Sequence, residues 1–157
     1  MDGFVQWMEK YFMPKASKIA VTILDNTIDL TVTPIAESNL HNLHYRTIGI
    51  GAMGLADYLA INKLSYKGDK ITLDEVNNLF EFIAYNVVKK SADLAIEKGK
   101  YPKFEGSDWS KGVFFGKDKK WFEKNSDMKN EWLDLIKQIR ETGIRNSQLL
   151  AIAPNTS

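Results

Sequence analysis

Ser147-Gln148-Leu149-Leu150-Ala151-Ile152-Ala153-Pro154-Asn155-Thr156-Ser157 is a nearly continuous apolar run that stops at a proline and a small polar turn. An apolar run of this length predicts a strand buried on both faces, as in a parallel sheet covered by helices. A shorter run, Thr47-Ile48-Gly49-Ile50, predicts a second strand. About a hundred residues with helical periodicity lie between them, so the expected class is α/β. Two short buried strands do not form a stable parallel sheet alone. The expectation is therefore one partial domain over residues 1–157, mostly helical, whose remaining strands lie elsewhere. Such a piece should leave apolar helix faces and strand edges exposed.

Outward from these runs, Val5 to Met13 predicts a short helix that Pro14 ends or bends. Lys15 to about Leu30 predicts a second helix, with Ile19, Ile23 and Leu30 on one side and Thr31-Val32-Thr33-Pro34 as the break. Residues 35–46 read as a polar connection. Gly51-Ala52-Met53-Gly54 turns the chain into a helix near Leu55 to Ile61, and a polar loop follows to Ile71. Thr72 and Glu75 fit a capping box opening a long helix from Leu73 to about Lys98. Val76, Leu79, Phe80, Ile83, Val87 and Leu94 share its inner stripe, Ser91 fills the gap, and Gly99 is the stop. Tyr101 to Lys120 reads as a long loop rich in aromatics, with Lys117-Asp118-Lys119-Lys120 as a solvated turn. A last helix is expected over roughly Lys129 to Glu141. Trp132, Leu133, Ile136 and Ile139 should face inward, with Gly143 closing it.

The chain has 157 residues, net charge +1 and no cysteine. The near-zero charge excludes a global pull toward nucleic acid or anionic membrane. Without cysteine there is no disulfide, thiolate metal site or thiol catalysis within the stretch. The start lacks the apolar core of a signal peptide, and no apolar run reaches the ~20 residues of a membrane span. The default location is cytoplasmic. His41 and His44 have only Glu37 near them in sequence, so no metal site is assigned. Trp7, Trp109, Trp121 and Trp132 read as core or loop anchors.

Two motifs bear on function. Gly49-Ile50-Gly51-Ala52-Met53-Gly54 matches the dinucleotide pattern G-x-G-x-x-G between a strand and a helix. The acid-tipped second strand it requires about 20 residues on is replaced by Tyr66-Lys67-Gly68-Asp69-Lys70, a polar loop. Gly49, Gly51 and Gly54 then read as structural, permitting close strand-to-helix packing. Pro154, Asn155, Thr156 and Ser157 follow the carboxyl end of a strand, where α/β structures gather ligands. Backbone N–H groups and the two hydroxyls could cradle an anion there. Arg145, if buried, needs a carboxylate that the sequence does not single out.

Four stretches, in register over roughly residues 20–157, resemble the large (catalytic, alpha) subunit of ribonucleotide reductase. Tyr45-Arg46-Thr47-Ile48-Gly49-Ile50-Gly51-Ala52-Met53-Gly54-Leu55-Ala56-Asp57 is similar to a strand-helix turn of that family. Ser91-Ala92-Asp93-Leu94-Ala95-Ile96-Glu97-Lys98-Gly99 is similar to a helix end. Glu105-Gly106-Ser107 through Ser110-Lys111-Gly112 is similar to a loop. Gly143-Ile144-Arg145-Asn146-Ser147, running into Ala151-Ile152-Ala153-Pro154-Asn155-Thr156-Ser157, is similar to a strand and its phosphate loop. Asn155 departs from that loop's first Ser or Thr.

The resemblance implies a ten-stranded α/β barrel, of which this chain supplies part of the later half. It implies reduction of ribonucleotides to deoxyribonucleotides for DNA synthesis by thiyl-radical chemistry. Pro154, Asn155, Thr156 and Ser157 are then substrate-phosphate-binding and Arg145 and Asn146 structural. The family's radical and redox cysteines are absent here, so no catalytic residue is assigned and the chain should be inactive alone. No cofactor is expected in this segment. By resemblance, the radical comes from a partner subunit or cofactor, and ATP or dNTP effectors bind elsewhere. The implied partners are the remainder of the large subunit, a second large subunit, a radical-generating small subunit and a ribonucleoside diphosphate, with neither membrane nor nucleic acid. A gene fragment, a split gene, an intein-interrupted gene and a shortened polypeptide all fit. The rival readings are a dinucleotide-binding oxidoreductase domain using Gly49 to Gly54, and a non-enzymatic helical interaction module.

Overall fold

The computed structural model of the chain describes residues 11–153. Most of the expected Val5 to Met13 helix, Trp7, and the turn Pro154 to Ser157 lie outside the described residues. Helix α1, Met13–Leu30, carries Pro14 in its first turn, where the missing N–H has no partner to lose. The expected break at Pro14 is thereby corrected: the proline stands inside the start of α1. The predicted break after Leu30 is present, with Thr31 extended.

Residues 35–46 are not a connection, because α2, Ala36–Tyr45, occupies them. Its entry is tied by Asn39, whose Oδ1 accepts from the Thr33 amide (3.0 Å) and hydroxyl (2.8 Å) while its Nδ2 donates to the Thr33 carbonyl (2.8 Å). The predicted helix α3, Leu55–Ile61, follows the glycine turn. The long helix α4, Lys70–Lys98, begins earlier than a Thr72 cap would allow. Asp69 is the cap, its Oδ1 accepting from the Thr72 amide at 2.9 Å. Once a competent upstream cap exists, each further residue adds a helical hydrogen bond at little cost. Glu75 reaches sideways instead, accepting from the Tyr58 hydroxyl at 2.6 Å. Gly99, at φ 86°, stops the helix as expected.

The long loop after Tyr101 is broken by two short helices, α5 (Asp108–Lys111), capped by Ser107, and α6 (Lys119–Asn125), capped by Asp118. Asp118 thus belongs to a helix start rather than a plain solvated turn. Helix α7, Lys129–Thr142, buries Trp132, Leu135, Ile136 and Ile139. Leu135 takes the fully buried place expected of Leu133, which is only half-buried.

α1 packs along α4, α4 on α7, and α5 and α6 on α7. Val21, Val87, Val88, Phe114, Ile139 and Ile144 are completely buried there. Each such aliphatic side chain contributes about 1.5–3 kcal/mol of transfer free energy. Phe114, Phe122 and Trp132 form one aromatic cluster, with the Phe122 and Trp132 rings 4.9 Å apart. Outside, α1 and α2 expose Ile19, Ile23, Leu30, Leu40 and Leu43.

Among the described residues the two apolar runs meet side by side in parallel, through one bridge, Ile50 with Leu150. Ile50 N–H donates to the Leu149 carbonyl (2.9 Å) and Ala151 N–H to the Ile50 carbonyl (3.1 Å). Continuing that ladder backward would put Ile48 N–H on Ser147 O and Ser147 N–H on Arg46 O. Both acceptors are engaged by side chains: Trp109 Nε1 donates to Ser147 O at 2.8 Å and Asn146 Nδ2 to Arg46 O at 3.0 Å. Ile48 N–H goes instead to Gln148 O, and Ser147 N–H to Tyr45 O, each 3.0 Å and each one residue out of register. The expected strands are therefore reduced to a bridge with a slip below it. Burial on both faces also stops short, since Ala151, Ile152 and Ala153 are exposed.

Candidate functional site

The paired runs have an amino end and a carboxyl end, and the two are built differently. At the amino end Arg46 and Asn146 precede the runs by one residue each and are almost fully buried. Arg46 is the C-cap of α2 in the left-handed conformation, φ 48° and ψ 49°, a strained one for a side chain of this size. Its guanidinium supplies the compensation. Nε and Nη2 donate to Asp25 Oδ1 at 3.0 and 2.8 Å, and Nη2 also to the Asp25 carbonyl at 3.0 Å. Nη1 and Nη2 donate to the two carboxylate oxygens of Asp29 at 2.7 and 2.9 Å. Asp25 and Asp29, one turn apart on α1, form the fork that a planar guanidinium matches.

Asn146 completes the cluster. Its Nδ2 donates to Asp25 Oδ1 (3.1 Å) as well as to Arg46 O, and its Oδ1 accepts from the Ser91 hydroxyl (2.8 Å). The Ser91 oxygen in turn accepts from the Asn146 amide at 3.1 Å. Lys98 Nζ and Arg145 Nε stand 3.4 Å from Asp25 carboxylate oxygens. Arg145 also donates to the carbonyls of Lys98 and Gly99, each at 3.0 Å, covering the end of α4. The carboxylate that Arg145 required is thus Asp25, and it serves Arg46 more closely.

Burial pushes the Asp25 carboxyl up, but the hydrogen bond and charge of Arg46, the charge of Arg145 and the Asn146 hydrogen bond outweigh it and hold Asp25 below its ordinary range. The Arg46 hydrogen bond likewise holds Asp29 low, against a smaller effect of burial. For Arg46, burial acts downward, and the hydrogen bonds it donates to Asp29 and Asp25 reverse it. All three groups stay charged at neutral pH. They clamp; nothing in their geometry leaves an atom free to react.

The carboxyl end is set by small residues. A Cβ on Gly49 would lie 2.9 Å from the Ala151 Cβ, and one on Gly51 would lie 2.4 Å from the Ala151 carbonyl oxygen. These two glycines face the neighbouring run at closest approach. That leaves no backbone surface there for a pyrophosphate, and α3 is only seven residues long. The dinucleotide reading finds no support in this geometry. Gly54 adopts φ 86° as the residue before α3. Beyond the bridge, Ile50, Gly51, Leu150 and Ile152 form one wall of an apolar cavity of about 340 Å³ whose other walls include Phe80 and Trp132. Ala153 leads out of this rim to Pro154, Asn155, Thr156 and Ser157, which the structure does not describe.

Among the described residues no group of three or more His, Asp or Glu side chains could hold a metal ion. His41 stacks on Tyr45 instead, with centroids 4.9 Å apart. No helix among the described residues is long and apolar enough to cross a membrane. Sequence reasoning missed Asp25 and Asp29, and it placed Ser91 on the inner stripe without its bonds to Asn146. The available signal was an i, i+4 pair of acids on the helix that also buries Val21.

Comparison with known proteins matches residues 4–157 to the ribonucleotide reductase barrel domain. The ribonucleoside-diphosphate reductase subunit alpha of Synechocystis sp. is 51% identical over 142 residues, covering 90% of this chain and 18% of the relative. The subunit alpha of Helicobacter pylori is 39% identical, covering 88% of this chain and 18% of the relative. The large chain of Encephalitozoon cuniculi is 34% identical, covering 94% and 19%. The chain thus spans less than a fifth of the curated relatives it matches. Matched along nearly its whole length, the chain belongs to the ribonucleotide reductase barrel-domain family.

Proposed function

We propose that this chain acts as one segment of a ribonucleoside-diphosphate reductase large subunit, a single partial domain over residues 1–157. It supplies helical scaffold and the part of the substrate site that receives phosphate. Pro154, Asn155, Thr156 and Ser157 bind the diphosphate through backbone N–H groups and the two hydroxyls. Gly49, Gly51 and Gly54 are structural.

The observation that carries this reading is the parallel pair with a clamped amino end and a carboxyl end leading to Pro154. Anion sites of α/β structures lie on that side of a sheet. The exposed apolar residues of α1 and α2 support a covering by further polypeptide, here the remainder of the large subunit. The reduction itself needs cysteines, and the chain has none. It therefore depends on partners for the radical: the rest of the large subunit, its second copy and a radical-generating small subunit. Effector nucleotides bind outside this segment, and the assembly works in the cytoplasm.

The test is a chimera in which residues 4–157 replace the matched segment of the Synechocystis subunit alpha. Thr156→Ala and Ser157→Ala should each raise KM for the ribonucleoside diphosphate about tenfold, since a hydrogen bond to a charged group contributes about 1.5–3 kcal/mol. The 157-residue chain alone should reduce nothing. Unchanged KM in both variants, or turnover by the isolated chain, would falsify the assignment.

A further inference from the structure

We propose that the cavity between the paired runs and helices α4, α6 and α7 is a docking seat for apolar side chains of large-subunit polypeptide outside residues 4–157. This rests on the reading of the chain as one segment of that subunit. Ile50, Leu150 and Ile152 lie on one face of the pair, since bridge partners share a face and alternate residues return to it. All three line the cavity, and Phe80, Trp121 and Trp132 line it from the helices. The pair and the helices therefore do not close on each other here. About 340 Å³ stands between them, with Ile152 80% exposed.

The walls favour a polypeptide over a small molecule. A pocket for a nucleotide turns several free polar groups inward. Of the polar residues at this cavity, Asn77 and Lys117 are exposed, and Lys117 Nζ sits 4.8 Å from the centroid of the Trp121 ring. Glu81 is already engaged, its Oε1 accepting from Trp132 Nε1 at 2.9 Å and from the Ser126 hydroxyl. The backbone at the wall is open instead. Ile50 bonds to the Leu149 carbonyl and the Ala151 N–H, so the Leu150 N–H and carbonyl point the other way and have no partner among the described residues. An unpaired edge beside an apolar hollow suits an extended segment, which brings backbone partners and side chains together. The matched span is 18–19% of each relative, so more than four fifths of the large subunit lies outside it and can supply such a segment.

Phe115 marks the rim. Phe114 and Lys117 exchange two backbone hydrogen bonds, each 2.8 Å, around a turn with φ 54° at Phe115 and 72° at Gly116. Positive φ at both central residues is the turn that prefers Asn-Gly, and a phenylalanine there is strained. The strained turn carries a ring to the cavity wall, where it meets Trp109 and Trp132 edge-on and stays 48% exposed.

The experiment replaces Phe115 with p-benzoylphenylalanine in the Synechocystis chimera and irradiates a mixture of heavy-isotope-labelled and unlabelled subunits. The expected link is to a peptide of the same subunit outside residues 4–157, with both peptides heavy or both light. Ala84→Trp fills the cavity from α4 and should cut the yield of that link about tenfold. Ala84→Leu fills less of it and serves if the larger ring prevents folding. A link that mixes heavy and light peptides would make this face an interface between copies. A link within residues 4–157 would make it the segment's own core, and a link suppressed by a ribonucleoside diphosphate would make it a ligand pocket. Each of these overturns the proposal, as does no link, or one that filling the cavity leaves undiminished. If the chimera still reduces the ribonucleoside diphosphate in those cases, only the docking seat is wrong. If the unsubstituted chimera reduces nothing, the reading of the segment falls and the seat with it.

Discussion

Replacing Asp25 with alanine should be the most damaging single change in the polar cluster, and its size follows from the contacts. The substitution strips Arg46 Nε of its partner, takes one acceptor from Nη2 and leaves Asn146 Nδ2 with only the Arg46 carbonyl. Removing one member of a buried ion pair costs about 3–5 kcal/mol, because the other charge stays buried. Arg46 keeps Asp29 through Nη1 and Nη2, which places the cost near the lower end, about 3 kcal/mol. Asp29 has a side chain 47% exposed, so Asp29→Ala should cost about 1 kcal/mol or less. For a chain of this size the two melting points should fall by about 6–12 °C and about 2–4 °C or less. Thermal unfolding at neutral pH, followed by circular dichroism, measures both. Because Asp25 is held low in the folded state, its stabilisation is complete above the unfolded carboxyl value, about 3.9, and lost as pH falls through the folded one. The gap between wild type and Asp25→Ala should therefore be widest near neutrality and narrow below about pH 4. An Asp25→Ala cost no larger than that of Asp29→Ala, or a gap unchanged down to pH 2, would refute the argument.

Gly51→Ala places a methyl 2.4 Å from the Ala151 carbonyl oxygen. It should cost about 1–3 kcal/mol and abolish hydrogen-exchange protection of the Ala151 amide; retained protection would contradict the close approach. Thr72 is buried with its hydroxyl unpartnered. Thr72→Val should raise stability in urea unfolding by up to about 1 kcal/mol, and a clear loss would mean that the hydroxyl has a role. Burial pushes the Tyr85 phenol up, helped by the charges of Glu131, Asp93 and Asp134. Burial does the same for Tyr101, against the Ser107 hydrogen bond. Their stabilisation is full below the unfolded value, about 10, and lost as pH rises through the folded values. The melting point should decline in alkali, and less steeply in Tyr85→Phe/Tyr101→Phe.

Legibility in the sequence followed the physics of each element. The α4 stripe of Leu79, Ile83, Val87 and Leu94 was readable because it is long and buried, and Gly99 because a helix stop at positive φ favours glycine. Helix α2 was hidden because its apolar residues Leu40 and Leu43 face outward, so no buried periodicity marks it. The α4 start was misread because two caps compete within four residues and the upstream one, Asp69, holds the Thr72 amide. The strands were overcalled because an apolar run reports burial and not the partners of its backbone; here the carbonyls of Ser147 and Arg46 accept from the side chains of Trp109 and Asn146. Pro154 to Ser157 stood out only through the resemblance to the family's motif, since a proline and three small polar residues are otherwise an ordinary turn. Asp25 showed only as one of an i, i+4 pair of acids, and its partners could not be read because they lie 21 and 121 residues away.

A pair of short runs has too few backbone bonds to hold itself, and sheets of this size are at best marginal in water. Here charge fixes one end and steric contact the other. Asp25, Arg46 and Asn146 tie both amino ends to α1 and α4, and Gly49 and Gly51 let Ala151 come close enough for the bridge to form. The division has a chemical logic. A buried ion cluster is rigid but surrounds itself with partners, so it has no capacity left for a ligand. Glycine at positions 49 and 51 carries no side chain into the contact with Ala151, so the two runs close on each other there without ionic partners. Charge therefore holds the end whose partners stand ready on α1 and α4, and close packing holds the end that leads to Ala153.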